Sequence, residues 1–411
     1  VIDRFTGLLT RLIEVEKLPG ALHGIKIIDL TRVLAGPFCT MILGDLGAEI
    51  IKVESINNGD ETRGWGPPFV EGESAYYLCA NRNKKGITLN LKSEQGKEIL
   101  KKLVSEADVV VQNFKPGTMT KLGFGYEDLK KIKEDIILAS ISGFGSEGPN
   151  SSLPGYDYII QAMSGLMSIT GEKEAEPTKI GVAISDVLTG LFTCIGILAS
   201  LQNRDRTGEG QEIDISLFDS QLAALVNVAS NYLCSGIVPE RMGNQHPNIV
   251  PYQVFTASDG ELVIAVGNDE QFKRFTLLID EPILLDEKFK TNTGRLQHRK
   301  QIEQLIQNKL KLKSKHEWKK LLDQIGIPNG PINNVSEALQ SEQAKSRDMV
   351  LDVNHPFIKD LKLVGSPLKL SKTPIEVVRH PPLHGEHTEE IVSKLGYSQI
   401  EIEEMKRNKT I

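Results

Sequence analysis

The chain has 411 residues, enough for about two to three domains at roughly 150 residues each. Apolar residues make up 40%, charged residues 25% and aromatic residues 6%, a profile that excludes disorder, collagen-like repeats and disulfide scaffolds. Asp and Glu outnumber Lys and Arg by 54 to 48, so the formal charge of −6 offers no general footprint for nucleic acid, while a local basic patch could still hold an anionic ligand.

Cys39, Cys79, Cys194 and Cys234 are far apart and show no CxxC spacing, which fits a reducing compartment. The chain begins at Val1 rather than methionine, which is compatible with a cleaved organellar presequence or with trimming. Asp3, Glu14 and Glu16 argue against a retained transit or signal peptide.

From Gly24 the text GIKIIDL predicts a strand, TRVLAGPFCTMILGDLGA a small-residue helix with Pro37 in its first turn, and EIIKVE a second strand. A helix over 93–106, the strand ADVVVQNF, a helix near 126–132 and the strand DIILASISGFG follow. This alternation predicts an α/β protein with a doubly wound parallel sheet. The weakly polar stretch 187–201 falls short of the ~18–20 apolar residues that a bilayer requires, so it reads as a buried helix. TGEGQEIDISLFDSQ gives a turn, a short strand and a helix. After Pro247, VPYQVFTASDGELVIAVGN reads as a hairpin turning at Asp259-Gly260, followed by a charged helical stretch over 295–322 and a break at Pro328-Asn329-Gly330-Pro331. A smaller α+β domain is placed at 241–335, between a large domain over 1–240 and its return over 336–411, with a last helix at 388–395.

Several motifs have ordinary explanations. Gly143, Gly145 and Gly148 spell GxGxxG, but Pro149 to Pro154 cannot open the helix that a dinucleotide pyrophosphate needs. His384 and His387 lack a third ligand at sensible spacing, so no metal is expected. Ser142 and Ser216 have no nucleophile elbow around them. Asp186, in GVAISDVLTG, sits where a helix begins among small residues. It is a helix cap on composition alone, or else a carboxylate nucleophile toward an activated acyl group. Arg82, Lys84 and Lys85 are read as a short loop before a strand, and Lys115 and Lys121 follow another strand. Both clusters lie near strand ends, where open α/β sheets bind ligands, although solvated lysines are the commoner outcome.

The segments TRVLAGPFCTMILGDLGAEIIKVE, NRNKKGITLNLK, QNFKPG, SISGFGSEGP, GYDYIIQAMSGLMSITG, GVAISDVLTGL, TGEGQEIDISLFDS and HGEHTEEIVSKLGY, in this order, resemble the class III CoA-transferases. LTRVLAGPFCTM, WGPPFV, NYL, IVPYQ and GPINN lean toward the mitochondrial branch that moves CoA from succinyl-CoA to glutarate. The resemblance implies a Rossmann-like large domain built from both chain ends, an inserted small domain and an interlocked homodimer. It also implies an enzyme of the mitochondrial matrix, or alternatively the cytoplasm, with acyl-CoA and a small carboxylic acid as substrates. No permanently bound cofactor, nucleic acid or membrane is implied.

The family's catalytic aspartate falls on Asp186. Its CoA contacts fall on Leu34 and Ala35, on Asn81, Arg82, Asn83 and Lys84, on Asn113, Phe114 and Lys115, on Lys121, and on Phe144 with Gly145. Ser55 and Ser142 stand where formyl-CoA transferase carries an arginine and a lysine, and its tetraglycine loop has no counterpart near 247–252. An α-methylacyl-CoA racemase would need a histidine at Tyr156, since a tyrosine of ordinary pKa near ~10 is a poor base at neutral pH. A non-catalytic acyl-CoA-binding protein would tolerate a damaged Asp186, which is intact. Arg32 and Arg63 are candidates for a distal carboxylate.

Overall fold

The computed structural model describes residues 20–411, so Asp3, Glu14 and Glu16 lie outside the described residues. The chain divides into two compact units. Of the described residues, the larger comprises 20–164, Gly181–Ala229 and Lys345–Ile411, and the smaller Gly165–Ile180 and Ser230–Ala344. The smaller unit thus takes in a segment near 165–180 that the sequence reading left with the large domain, and it extends past 241–335 at both ends.

Six parallel strands form the large unit's sheet: β1 (Lys26–Asp29), β2 (Glu49–Glu54), β3 (Lys84–Thr88), β4 (Val109–Gln112), β5 (Ile137–Ser142) and β6 (Glu212–Ser216). Their order is β3-β2-β1-β4-β5-β6, the doubly wound arrangement of dinucleotide-binding folds. The order reverses between β1 and β4, where a crevice opens beyond the carboxyl ends of the strands. Helices cover both faces of the sheet at its centre, so β1, β4 and β5 are largely apolar and buried, whereas the edge strand β6 alternates between polar and apolar residues. Ile28, Val110 and Leu138 meet one core with Ile99, Leu100 and Leu103 of helix α2 (Glu94–Ser105). Ile27, Val109, Val111, Ile137 and Ala139 meet the other with Cys39 and Leu43 of α1 (Ala35–Asp45). Ser93 caps α2 through the Gly96 N–H at 3.0 Å, a contact worth about 1 kcal/mol.

Helix α3 (Tyr126–Ile132) precedes β5, and α4 (Asp157–Met163) precedes α5 (Ile184–Thr207). At 24 residues, α5 is longer than the sequence suggested, and by length and composition alone it could cross a membrane. One face carries Cys194, Ile197 and Leu201 into the core beside α1, while Leu191, Phe192 and Ile195 stand exposed on the other. Gly190 allows the close approach of α1, because a Cβ there would lie 2.7 Å from the Ala35 carbonyl oxygen. Helix α6 (Leu217–Ala223) follows β6 directly.

In the smaller unit, β7 (Tyr252–Ala257) and β8 (Gly260–Ala265) form the expected hairpin. The break at 328–331 instead contains β9 (Asn329–Pro331), which pairs antiparallel with β8. Proline is tolerated there because this strand lies at the sheet edge. Helices α7 (Asp269–Ile279), α8 (Asn292–Gln297), α9 (Arg299–Leu310) and α10 (Lys315–Gln324) pack Phe275, Leu296, Ile302, Ile306 and Leu322 around its core. The charged stretch is therefore divided among three helices. After α11 (Thr388–Lys394), a further helix, α12 (Gln399–Arg407), starts at a Ser398–Glu401 capping box that the sequence reading passed over. Ile391 of α11 and Met405 of α12 pack into the core shared with α2.

Candidate active site

The turn from β1 into α1 is fixed by a buried set of charges. Lys52, on β2, donates to the Thr31 carbonyl at 2.8 Å and to Asp60 at 3.0 Å. Asp60 also accepts the Val33 N–H at 3.1 Å. Asp29 accepts from Thr31 N at 2.9 Å, Thr40 Oγ1 at 2.6 Å and Lys84 Nζ at 3.0 Å. Burial alone would raise the Asp29 pKa, but Lys84 and Lys52 hold it well below the usual carboxylate range. Val33 adopts φ +70°, a left-handed conformation that is costly for a β-branched residue and persists because these contacts over-determine the turn.

Beyond the turn lies a cleft of about 160 Å³ whose wall includes Arg32, Ala35, Glu61, Asn113, Phe114, Lys115, Tyr156 and Asp186. A second pocket of about 450 Å³ shares Arg32, Glu61 and Phe114 with it and runs past Ser55, Asn57, Leu89 and Lys92. The two follow the carboxyl edge of β1 to β4. Asn113 ties the turn to β4, accepting the Arg32 N–H at 3.0 Å and donating to its carbonyl at 2.7 Å.

Asp186 occupies the first turn of α5, half-buried. Burial, and then the nearby Asp157 carboxylate, push its pKa up to about 7, while the Ala35 N–H works in the opposite direction. Tyr76 lies close enough that burial, followed by the charge of Asp186, pushes its phenol up to about 12. Among the described residues, one other carboxylate lines the cleft, Glu61, which is exposed and paired with Arg32.

The structure brings together Ala35, Asn113, Phe114, Lys115 and Asp186, with Leu34 directly before α1. It turns Asn81, Arg82, Asn83 and Lys84 inward: these four expected CoA contacts are buried and do not line the cleft, and Arg82 and Lys84 are not in a solvated loop. Lys84 and Lys85 begin β3, and the Lys84 ammonium is fully buried on Asp29, the Pro37 carbonyl (2.9 Å) and Asn81 (2.9 Å). Arg82 grips Asp45 with two nitrogens at 3.0 and 2.6 Å. Asn83 donates to Asp45 at 2.8 Å and to the Glu376 carbonyl at 2.9 Å.

Phe144 packs toward the core against Phe218, with ring centroids 5.9 Å apart. The buried Gly145 accepts no side chain at φ +87° and donates its N–H to Ser142 at 2.8 Å. Lys121 is exposed on the short helix Thr118–Leu122. Arg63 clamps Glu54 at 2.8 and 2.7 Å, leaving Arg32 as the candidate arginine on the cleft. His384 meets the Ser55 carbonyl at 2.9 Å and His387 accepts the Gly86 N–H, both local contacts.

A family profile described as CoA-transferase family III matches residues 22–388. The chain belongs to CoA-transferase family III. The succinyl-CoA:glutarate CoA-transferase of Mus musculus is 45% identical over 386 residues, covering 93% of this chain and 88% of that protein. The succinate–glutarate CoA-transferase of Agrobacterium fabrum is 42% identical over 381 residues, or 91% of this chain and 95% of the relative. A CAIB/BAIF family protein from Brucella suis, known from its crystal structure, superposes with a TM-score of 0.82 at 44% identity, covering 92% of this chain and all of the other. As a class III CoA-transferase the protein works on acyl-CoA, and Asp186 is the half-buried carboxylate at the switch-point cleft.

Sequence reasoning missed Asp157, Tyr76 and the partners that bury Lys84. Asp157 was visible only as the first acidic residue of a helix, in GYDY.

Proposed function

We propose that the protein moves CoA from succinyl-CoA to glutarate or a similar dicarboxylate, with Asp186 carrying the acyl exchange. The observation that supports this most directly is a desolvated carboxylate with a raised pKa on the wall of the switch-point cleft. A carboxylate oxygen of Asp186 attacks the thioester carbonyl, the C–S bond breaks, and CoA thiolate leaves a mixed anhydride. The thiolate attacks the aspartyl carbonyl, releasing succinate and leaving CoA on Asp186 as a thioester. The acceptor carboxylate then displaces CoA to form a second anhydride. Thiolate attack on its acyl carbon yields the new acyl-CoA and restores Asp186. Each intermediate keeps the activation that water would discharge, so burial serves the chemistry as well as the pKa.

CoA is proposed to lie along the paired pockets, with Phe114 against an apolar part and Lys115 near phosphate. Asn81, Arg82, Asn83 and Lys84 support that surface from within. A homodimer is proposed on the resemblance and on the exposed Leu191, Phe192 and Ile195 of α5, an apolar strip that a second copy would cover. Location in the mitochondrial matrix is proposed on the resemblance of the quoted segments alone.

The test incubates the protein with succinyl-CoA and glutarate, adipate, 3-hydroxymethylglutarate, oxalate, formate or carnitine, reading new acyl-CoA by mass spectrometry. Glutaryl-CoA is expected from the native protein, and at least about 10³-fold less from Asp186→Asn. Transfer only to a monocarboxylate overturns the dicarboxylate assignment. α-Proton exchange on a branched acyl-CoA without any transfer points to a racemase instead.

A further inference from the structure

Helix α5 starts without a capping side chain of its own, since Ala183 stands at its N-cap. The cap comes from another helix. Asp157, in the first turn of α4, accepts the Ser185 N–H on Oδ1 at 2.8 Å. Its other oxygen accepts Gln161 Nε2 at 2.7 Å. Ser185 is also held by its hydroxyl, which donates to Gln221 Oε1 at 2.9 Å. Ser185, Gln161 and Gln221 are all buried, so the residue directly before Asp186 is fixed on two sides. Asparagine or serine caps a helix about as well as aspartate, so capping alone does not call for a full negative charge here.

We propose that Asp157 is a positioning residue for CoA transfer: it fixes the first turn of α5 and sets a second negative charge against the Asp186 carboxyl. The proposal rests on the reading of Asp186 as the nucleophile. Neighbouring carboxylates resist simultaneous ionisation. Burial is the larger influence on Asp186 and Asp157 the next, and together they give a carboxylate more basic than a solvated one. Greater basicity makes a better nucleophile once the proton has left. The other charged or titratable groups around the cleft are Arg32 and Glu61 near the β1 turn, Lys115 after β4, Tyr156 before α4, and Tyr76, whose phenol feels the Asp186 charge. Arg32 is already matched by Glu61, which leaves Asp157 as the acidic neighbour acting on Asp186.

The experiment measures kcat/KM for succinyl-CoA against pH, which reports ionisations of the free enzyme. Asp157→Asn keeps an oxygen for the Ser185 N–H and removes the charge. Its acidic limb is expected to move down by about 0.5–1 pH unit, with an almost unchanged melting temperature. Asp157→Ser removes the charge and, being one atom shorter, the bond to Ser185 as well, so it should give the same displacement with a lower melting temperature. A purely structural role predicts the same fold-loss at every pH and an unmoved midpoint, and that result overturns the proposal. Asp186→Asn is assayed in parallel. If it still transfers CoA, the nucleophile reading fails and this inference with it. If it is inactive while Asp157→Asn superimposes on the native profile, only this inference fails.

Discussion

Two basic segments of this protein look alike as text and differ completely in space. Residues 81–85 lead into β3, and the charges of Arg82 and Lys84 turn inward onto Asp45 and Asp29. Residues 113–115 follow the carboxyl end of β4, and Lys115 opens onto the cleft with Asp186. The two ends of a parallel strand are not equivalent, because the crevice of an open α/β sheet lies beyond the carboxyl ends. Proximity to a strand end therefore carries little information until the strand's direction is added. One segment is turned into the interior and the other faces the cleft.

The sharpest way to break this contrast is Lys84→Ala. If Lys84 is internal, the substitution strands Asp29 without its cation, and stability should fall by about 3–5 kcal/mol in urea titrations. A stable variant with a raised KM for acyl-CoA would instead make Lys84 a ligand contact.

Asp186 extends the comparison to a charge that faces another carboxylate rather than a cation. Its folded pKa of about 7 exceeds the unfolded value of about 3.9, so the folded state favours the protonated form. The native protein should therefore lose stability relative to Asp186→Asn as pH rises from about 4 to 7. At neutral pH the asparagine variant should be the more stable by on the order of 2 kcal/mol, allowing for partial exposure, with the advantage gone near pH 4. Chemical denaturation at several pH values reads the difference. The mildest effect is expected at Lys115→Ala, with melting unchanged, KM for acyl-CoA raised about three- to tenfold, and the loss shrinking in high salt.

The strands of the large unit were legible because apolar runs separated by amphipathic helices leave few alternatives. Asp186 was legible through its small neighbours and its place in a recognisable segment. Lys84 was not, because nothing local distinguishes a lysine in solvent from one whose partner, Asp29, lies 55 residues away. Asp157 stayed hidden for a related reason: its bond to Ser185 spans 28 residues and joins two helices that the text shows only in succession. The PNGP break became a strand because its partner, β8, is supplied by tertiary structure.

The charges beneath the β1 turn have a consequence for how this sequence can change. Asp29, Lys52, Asp60 and Lys84 come from separate stretches of chain, yet each is buried against another of the set. Losing one strands its partner, whereas exchanging a pair together for apolar residues removes both penalties at once. Substitutions at these positions are thus strongly epistatic, and an acceptable second change depends on the first. Drift through this part of the molecule has to proceed by coupled steps, whereas an unburied cleft residue such as Lys115 can change on its own.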